Sequence, residues 1–195
     1  NFVYASQDFG AANVTVDGGS AGTDTVVFTT AAGGTIYGTS AGSGMHIANI
    51  DAISLTAGSS GHITLDASVT DAIVVTNAST TNSATVTLNG NSASRYSTSS
   101  AGVDSVTVGA AGQMVNLLGG GDLVNGGALS LSGSYTATGS ANTFTLGGGT
   151  LGAASISGFQ TLNLTDSESI SAATILGLTT LTMTDNDVLT MTAAQ

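Results

Sequence analysis

Ile156-Ser-Gly-Phe159-Gln-Thr-Leu162-Asn-Leu164-Thr165 is followed nineteen residues on by Ile175-Leu-Gly-Leu178-Thr-Thr-Leu181-Thr-Met183-Thr184. A third version, Ile47-Ala-Asn-Ile50-Asp-Ala-Ile53-Ser-Leu55-Thr56, stands earlier in the chain. Each puts large apolar residues at its first, fourth, seventh and ninth places. The last two alternate, so they share one face of a strand. The first two are three apart, which suits a bend or a single helical turn leading into that strand. A unit this short has no second layer to bury its face against, so it is stable only when units stack. The expected fold is therefore all-β, a parallel β-solenoid (β-helix or β-roll) of short strands joined by Gly, Asp and Asn turns. Phe159, Leu162, Leu164, Leu178, Leu181 and Met183 are its expected core, with Leu162 over Leu181 and Leu164 over Met183.

Composition agrees with that period. The 195 residues include 28 Gly, no Pro, no Cys and no Trp, and only 7% are charged. Gly with Thr, Val and Ile, and so little Lys, Glu and Gln, favours short strands and tight turns over long helices. A hydrophobic fraction of 41% with clear alternation argues against disorder. One basic residue against twelve acidic ones gives a net charge of −11. Such a chain neutralises no phosphates, which argues against nucleic acid and anionic membrane surfaces as partners. No segment has the length of a membrane span. The missing counter-charge has to come from outside, and divalent metal is the obvious source. The chain opens on Asn1, so it is either processed or a piece of something longer.

Taken in order, residues 1–12 read as an N-terminal cap or docking segment carrying Phe2, Tyr4 and Phe9. Residues 13–88 read as a first part of the solenoid, with strands at ten- to twelve-residue spacing that imply two per coil. Residues 89–102 are rich in Ser and Asn and read as a polar loop excursion. Residues 103–195 read as the second part. His46 and His62 each precede an isoleucine and are expected to point away from the core, without forming a site. Arg95 reads as a lone loop arginine.

Two turns carry a more specific signal, Asp17-Gly18-Gly19-Ser-Ala-Gly22-Thr-Asp24 and Gly119-Gly120-Gly121-Asp122-Leu123-Val124-Asn125. Both resemble the repeats-in-toxin nonapeptide, Gly-Gly-x-Gly-x-Asp-x-apolar-x, the first with one residue more and the second with one fewer before the Asp. The apolar phrase resembles those of calcium-dependent S-layer proteins and large adhesins exported by type I secretion in Gram-negative bacteria. The resemblance implies an extracellular or cell-surface structural protein with calcium at its turns. Its ligands would be Asp17, Gly19, Gly22, Asp24, Gly119, Gly121, Asp122 and Asn125, because a hard cation takes carboxylate and carbonyl oxygens. Asp166 with Glu168, and Asp185 with Asp187, are carboxylate pairs two apart. In extended chain each pair shares a face and suits a cation as well.

No Lys, no Cys and no nucleophile or metalloprotease motif is present, and one basic residue is too few for an enzyme acting on acidic polysaccharides. Catalysis is not expected. The expected function is self-assembly into a surface layer or filament. The ends of a solenoid template further strand pairing unless capped. Phe2, Tyr4 and Phe9 of one copy are expected to meet Val188 and Met191 in the terminal coil of the next. Two alternatives stand beside it. A carbohydrate-binding adhesin module would take cell-surface polysaccharide on Tyr37, Tyr96 and Tyr135. An ice-binding solenoid would use the Thr-x-Thr pairs at Thr85/Thr87, Thr143/Thr145, Thr182/Thr184 and Thr190/Thr192, although their spacing along the sequence is irregular.

Overall fold

A computed structural model describes residues 2–4, 13–30, 33–38, 42–56, 61–99, 101–184 and 186–192. Every strand pair in it is parallel, and among the described residues there is no helix. The chain winds as the expected β-solenoid. One nine-stranded sheet takes, in spatial order, Phe2–Tyr4, Thr25–Phe28, Ala52–Leu55, Val74–Asn77, Arg95–Thr98, Met114–Leu117, Ser134–Ala137, Ser155–Ser157 and Thr174–Leu176. The second, ten-stranded, takes Val14–Asp17, Met45–Ala48, Gly33–Tyr37, Gly61–Leu65, Ala84–Leu88, Ser105–Val108, Leu123–Asn125, Thr143–Leu146, Thr161–Leu164 and Thr180–Met183. A small third sheet joins Gly149–Thr150, Glu168–Ser169 and Leu189–Thr190 along one flank.

Register turns alternation into columns. In the first sheet Val26, Ile53, Val75, Tyr96, Val115, Tyr135 and Ile156 lie over one another, all inward and buried. In the second, Ile63, Val86, Val106, Val124, Phe144 and Leu162 do the same. Burying one such side chain contributes roughly 1.5–3 kcal/mol, and each column repeats that gain at every level. Edge-on rings knit the two columns together: Tyr135 meets Phe144 at 5.1 Å between centroids, and Phe144 meets Phe159 at 5.3 Å.

The repeated phrase is a corner between sheets. Its third residue is Gly158, Gly177 or Asn49, with φ of 77°, 86° and 55°. Left-handed backbone suits Gly and, among other residues, Asn. At Gly158 space adds a second demand, since a Cβ there would lie 1.8 Å from the Ala137 carbonyl oxygen. The turned backbone points the fourth residue inward, and Ile50 and Phe159 are buried. The copies at 156 and 175 pass from first sheet to second, whereas the copy at 47 passes from second to first.

Two expectations are corrected, and one feature of the strand order is new. The polar stretch 89–102 does not leave the stack: it supplies Arg95–Thr98, paired between Val74–Asn77 and Met114–Leu117. Asn89, Asn91, Ser92 and Ser94 precede that strand and Ser97 lies within it, while Tyr96 and Thr98 alternate inward and are buried. Leu178, Leu181 and Met183 are exposed rather than buried, although Leu162–Leu181 and Leu164–Met183 pair in the expected register. Strands in the second sheet do not follow chain order throughout, because Met45–Ala48 sits between Val14–Asp17 and Gly33–Tyr37.

Candidate functional site

The level formed by Thr174–Leu176 and Thr180–Met183 is the last in both large sheets, so one edge of each strand has no strand partner among the described residues. Its side chains copy those of the level beneath without their cover. Leu162 is 1% exposed and Leu181 42%, Leu164 0% and Met183 40%. Ile175, Leu178, Leu181, Leu189 and Met191 line a groove across this end, floored by Leu162 and Ile170. Val188 and Met191 are exposed on the same end, close to Leu189–Thr190 of the third sheet.

At the opposite end, Phe2–Tyr4 and Val14–Asp17 are the outermost strands. Phe2 pairs with inward-facing Val26, and Val14 and Val16 pair with inward-facing Met45 and Ile47. The inward positions of this end are thus apolar as well, and Phe2 and Val3 are exposed. Phe9, Asp185 and the Tyr4 side chain lie outside the described residues.

The residues read as calcium ligands fall in separate places. Gly19 and Gly22 take positive φ at a turn whose mouth is also lined by Asp24, Asn49, Asp51 and Asp71. Asp17 is engaged there: its Oδ1 accepts the Asn49 amide at 2.8 Å and the Gly19 N–H at 2.9 Å. Those two bonds, the Asn49 one foremost, hold its carboxyl below the usual range. The Asp24 N–H donates to Asp51 Oδ2 at 2.8 Å. Asp122 is not at a turn mouth but inside the stack, 1% exposed. It precedes the strand Leu123–Asn125 and points in, so its partners are backbone groups of the neighbouring levels. Gly121 nearby has φ of 80°, Gly119 carries its carbonyl one turn away from Gly139, and Asn125 faces outward with Oδ1 on the Gly127 N–H. Asp166 is exposed and accepts the Ser167 N–H, whereas Asp187 accepts the Thr184 N–H and hydroxyl. Among the described residues no three His, Asp or Glu side chains gather as a metal-binding group. His62 points outward as expected. His46 also lies on the outer side, stacked on Tyr37 and bonded to the Gly38 and Gly42 carbonyls.

An acceptor ladder inside one corner was not read from the sequence. The Ala84 N–H donates to Asp104 Oδ1 at 2.6 Å and the Asp104 N–H to Asp122 Oδ1 at 2.8 Å. One level on, the Asp122 N–H donates to Asn142 Oδ1 at 2.9 Å and the Asn142 N–H to Gln160 Oε1 at 2.8 Å. All four acceptors stand one residue before a strand of the second sheet, and that placement is the sequence signal. Asp104, Asp122 and Asn142 are buried. Burial, then the neighbouring Asp104 charge, pushes the Asp122 carboxyl up. Tyr96 is pushed far above the ordinary tyrosine range by burial first and by Asp104 next.

Two outward features complete the surface. Thr64, Thr87, Thr107, Asn125, Thr145, Asn163 and Thr182 form one column on the second sheet. Thr85, Ser105, Leu123, Thr143, Thr161 and Thr180 form its neighbour. Pairs that look irregular along the sequence are therefore aligned in space, although the last aligned pair is Thr180/Thr182 rather than Thr182/Thr184, and Thr190 belongs to the third sheet. Tyr96 and Tyr135, expected as sugar-stacking platforms, are buried core residues, which leaves Tyr37 half-exposed against His46. The chain matches no known family, no curated protein and no solved structure.

Proposed function

We propose that this is an extracellular structural protein that stacks end to end into a filament or surface layer. The observation that carries the reading is the open apolar level at Thr174–Leu176 and Thr180–Met183. Its occupant is the opposite end of a second copy. Only head-to-tail stacking continues parallel strands in one direction, and a contact between two different surfaces leaves the next pair open, so growth continues. Ile175, Leu181 and Met183 then meet the inward apolar positions Phe2, Val14 and Val16. Copies of net charge −11 repel one another, over a Debye length of about 30 Å at 0.01 M salt and about 8 Å at physiological salt. Salt favours the stack for that reason, and calcium at the acidic turn of Asp17, Asp24 and Asp51 would favour it more by neutralising charge directly. Negative-stain microscopy and sedimentation with and without millimolar calcium test this. The expected result is a filament or sheet from the natural chain and a folded monomer from Leu181→Asp. A natural chain that stays monomeric at high concentration with calcium overturns the reading.

A second reading rests on the aligned Thr columns. From Ala84 onward the outward positions of the second sheet carry no charged side chain. Strands about 4.8 Å apart present hydroxyl and methyl groups at a fixed repeat, which suits an ordered water lattice. Thermal hysteresis of the monomer, lost in Thr145→Lys, would support ice binding. Its absence in the natural protein would remove that reading.

A further inference from the structure

The two large sheets are unequal. The first has nine strands and the second ten, and at the far end they finish together, on Thr174–Leu176 and Thr180–Met183. The difference therefore lies at the other end. Counting levels back from the far end puts Thr25–Phe28 beside Gly33–Tyr37, and Phe2–Tyr4 beside the displaced Met45–Ala48. Val14–Asp17 pairs on the outer edge of Met45–Ala48, one level further out, with no first-sheet strand beside it among the described residues. This end is a step one strand high, while the far end is level.

A step and a level end do not close through both sheets at once. With Phe2–Tyr4 directly on Thr174–Leu176 of a neighbour, Val14–Asp17 would fall into the level that Thr180–Met183 already fills. The second sheets therefore meet first. Val14, Met45, Ile36 and Leu65 lie in one inward column, and following it along the second sheet leads to Leu164 and Met183. Continuing that column across the joint puts Val14 over Met183. In the first sheet, Thr174–Leu176 of one copy and Phe2–Tyr4 of the next are then two strand spacings apart, about 10 Å. Both walls are strand edges with no strand partner among the described residues. An empty gap would leave the N–H and C=O groups that point into it unpaired, and would open an apolar joint to water between Ile175 and Phe2. One strand fills it and brings both sheets to ten strands per copy.

We propose that each joint of the stack takes one extended strand of another polypeptide into this slot of the first sheet. The inference rests on the end-to-end reading and refines its contact. The bound strand runs parallel to both walls, as every strand of the sheet does, and main-chain hydrogen bonds hold it on two sides. Alternation sets its side chains. The residue in register with Phe2 and Ile175 points inward and is apolar, while the next stands outward between the exposed Val3 and Leu176. Copies of net charge −11 on both sides favour a strand without acidic residues.

The probe is a labelled synthetic peptide of residues 153–159, whose Ser155–Ser157 holds the same place one level below Thr174–Leu176. It is added to the natural chain in millimolar calcium. The peptide should sediment with the filaments at about one per copy. Its Ile156→Asp version should bind at least about tenfold more weakly, because a charge replaces a buried apolar side chain. The Leu181→Asp monomer has single walls and no slot, and should hold the original peptide at least about tenfold more weakly than filaments do. Electron microscopy reads the geometry separately. The axial repeat should be about 48 Å, ten levels of roughly 4.8 Å. A repeat near 43 Å, about nine levels, overturns the stepped joint and leaves end-to-end stacking intact. Ten-level filaments that bind no peptide, or bind it only at their tips, overturn the slot. Filaments that form only with the peptide support it most directly, and no filament with or without peptide overturns both readings.

Discussion

Leu162 and Leu181 are the same residue at the same place on adjacent levels, paired directly in the second sheet, yet one is 1% exposed and the other 42%. Truncating each to Ala separates burial from sequence context. Leu162→Ala removes three buried methyl and methine carbons from an enclosed site and leaves a cavity, so the expected loss is about 3 kcal/mol, within the roughly 2–5 kcal/mol seen for buried leucines. Leu181 is little more than half covered, and the space it leaves opens to solvent. Only a transfer contribution remains, about 1 kcal/mol. When a second copy covers the end, Leu181 takes the environment of Leu162, so its truncation should cost a further ~1–2 kcal/mol per interface, about five- to thirtyfold in association constant. Urea unfolding of dilute monomer, read by circular dichroism with the slope checked for equality among variants, measures the first two numbers. Sedimentation over a concentration series measures the third. Equal losses of monomer stability would refute the assigned exposure of the end, and Leu181→Ala that associates like the natural chain would refute its use as an interface.

Three further outcomes follow from the corners and the interior. Gly158→Ala should destabilise by well over 1 kcal/mol, since it combines left-handed backbone with a Cβ placed against the Ala137 carbonyl, whereas Asn49→Gly at the equivalent corner relieves the left-handed backbone and should cost no more than its exposed hydrogen bond to Asp17, about 0.5–1.5 kcal/mol; paired melting curves decide. Asn142→Ala leaves the Asp122 N–H without its acceptor inside the stack and should cost about 1–3 kcal/mol, while Asn142→Asp should be tolerated only at acidic pH. Glu168 is buried beside Gly148 and Leu151, and burial above all raises its carboxyl. A raised carboxyl contributes stability below the unfolded value of about 4.3 and loses it as pH rises through the folded value. Glu168→Gln should therefore stabilise the protein near neutral pH and flatten its profile there; an unchanged profile would contradict the assignment.

The parts of this fold that were legible in the sequence are those set by local geometry. Alternation at the seventh and ninth places of the phrase gave the strand face, and its repeat gave the pairing of Leu162 with Leu181 and of Leu164 with Met183. The bend ahead of the strand was equally visible. What stayed hidden depends on neighbours far along the chain. Leu181 carries the same pattern as Leu162, and no local signal says which level lacks a cover. Tyr96 stands among Ser and Asn residues whose polarity belongs to a turn and to the outer face, so its inward direction appears only once Val75 and Val115 flank it. The placement of Asp122 stayed hidden for a related reason: it immediately precedes a strand, and the corner turns it inward onto the Asp104 backbone. The Thr pairs look unevenly spaced along the sequence because loops of unequal length separate strands that are in step.

The displaced strand Met45–Ala48 has a consequence for how the molecule is wound. From Gly61 onward each new strand of the two large sheets pairs with one already made, about a coil behind it, so the chain can add levels in sequence order. The beginning cannot proceed that way. Among the described residues Val14–Asp17 has its only partner in the second sheet at Met45–Ala48, and that strand also takes Gly33–Tyr37 on its other side. Phe2–Tyr4 and Thr25–Phe28 can pair as they appear, but Val14–Asp17 and Gly33–Tyr37 come to neighbouring places only when the later strand lies between them. The second sheet is therefore completed at its N-terminal end by a strand from later in the chain, while towards its far end each level rests on one that precedes it in sequence.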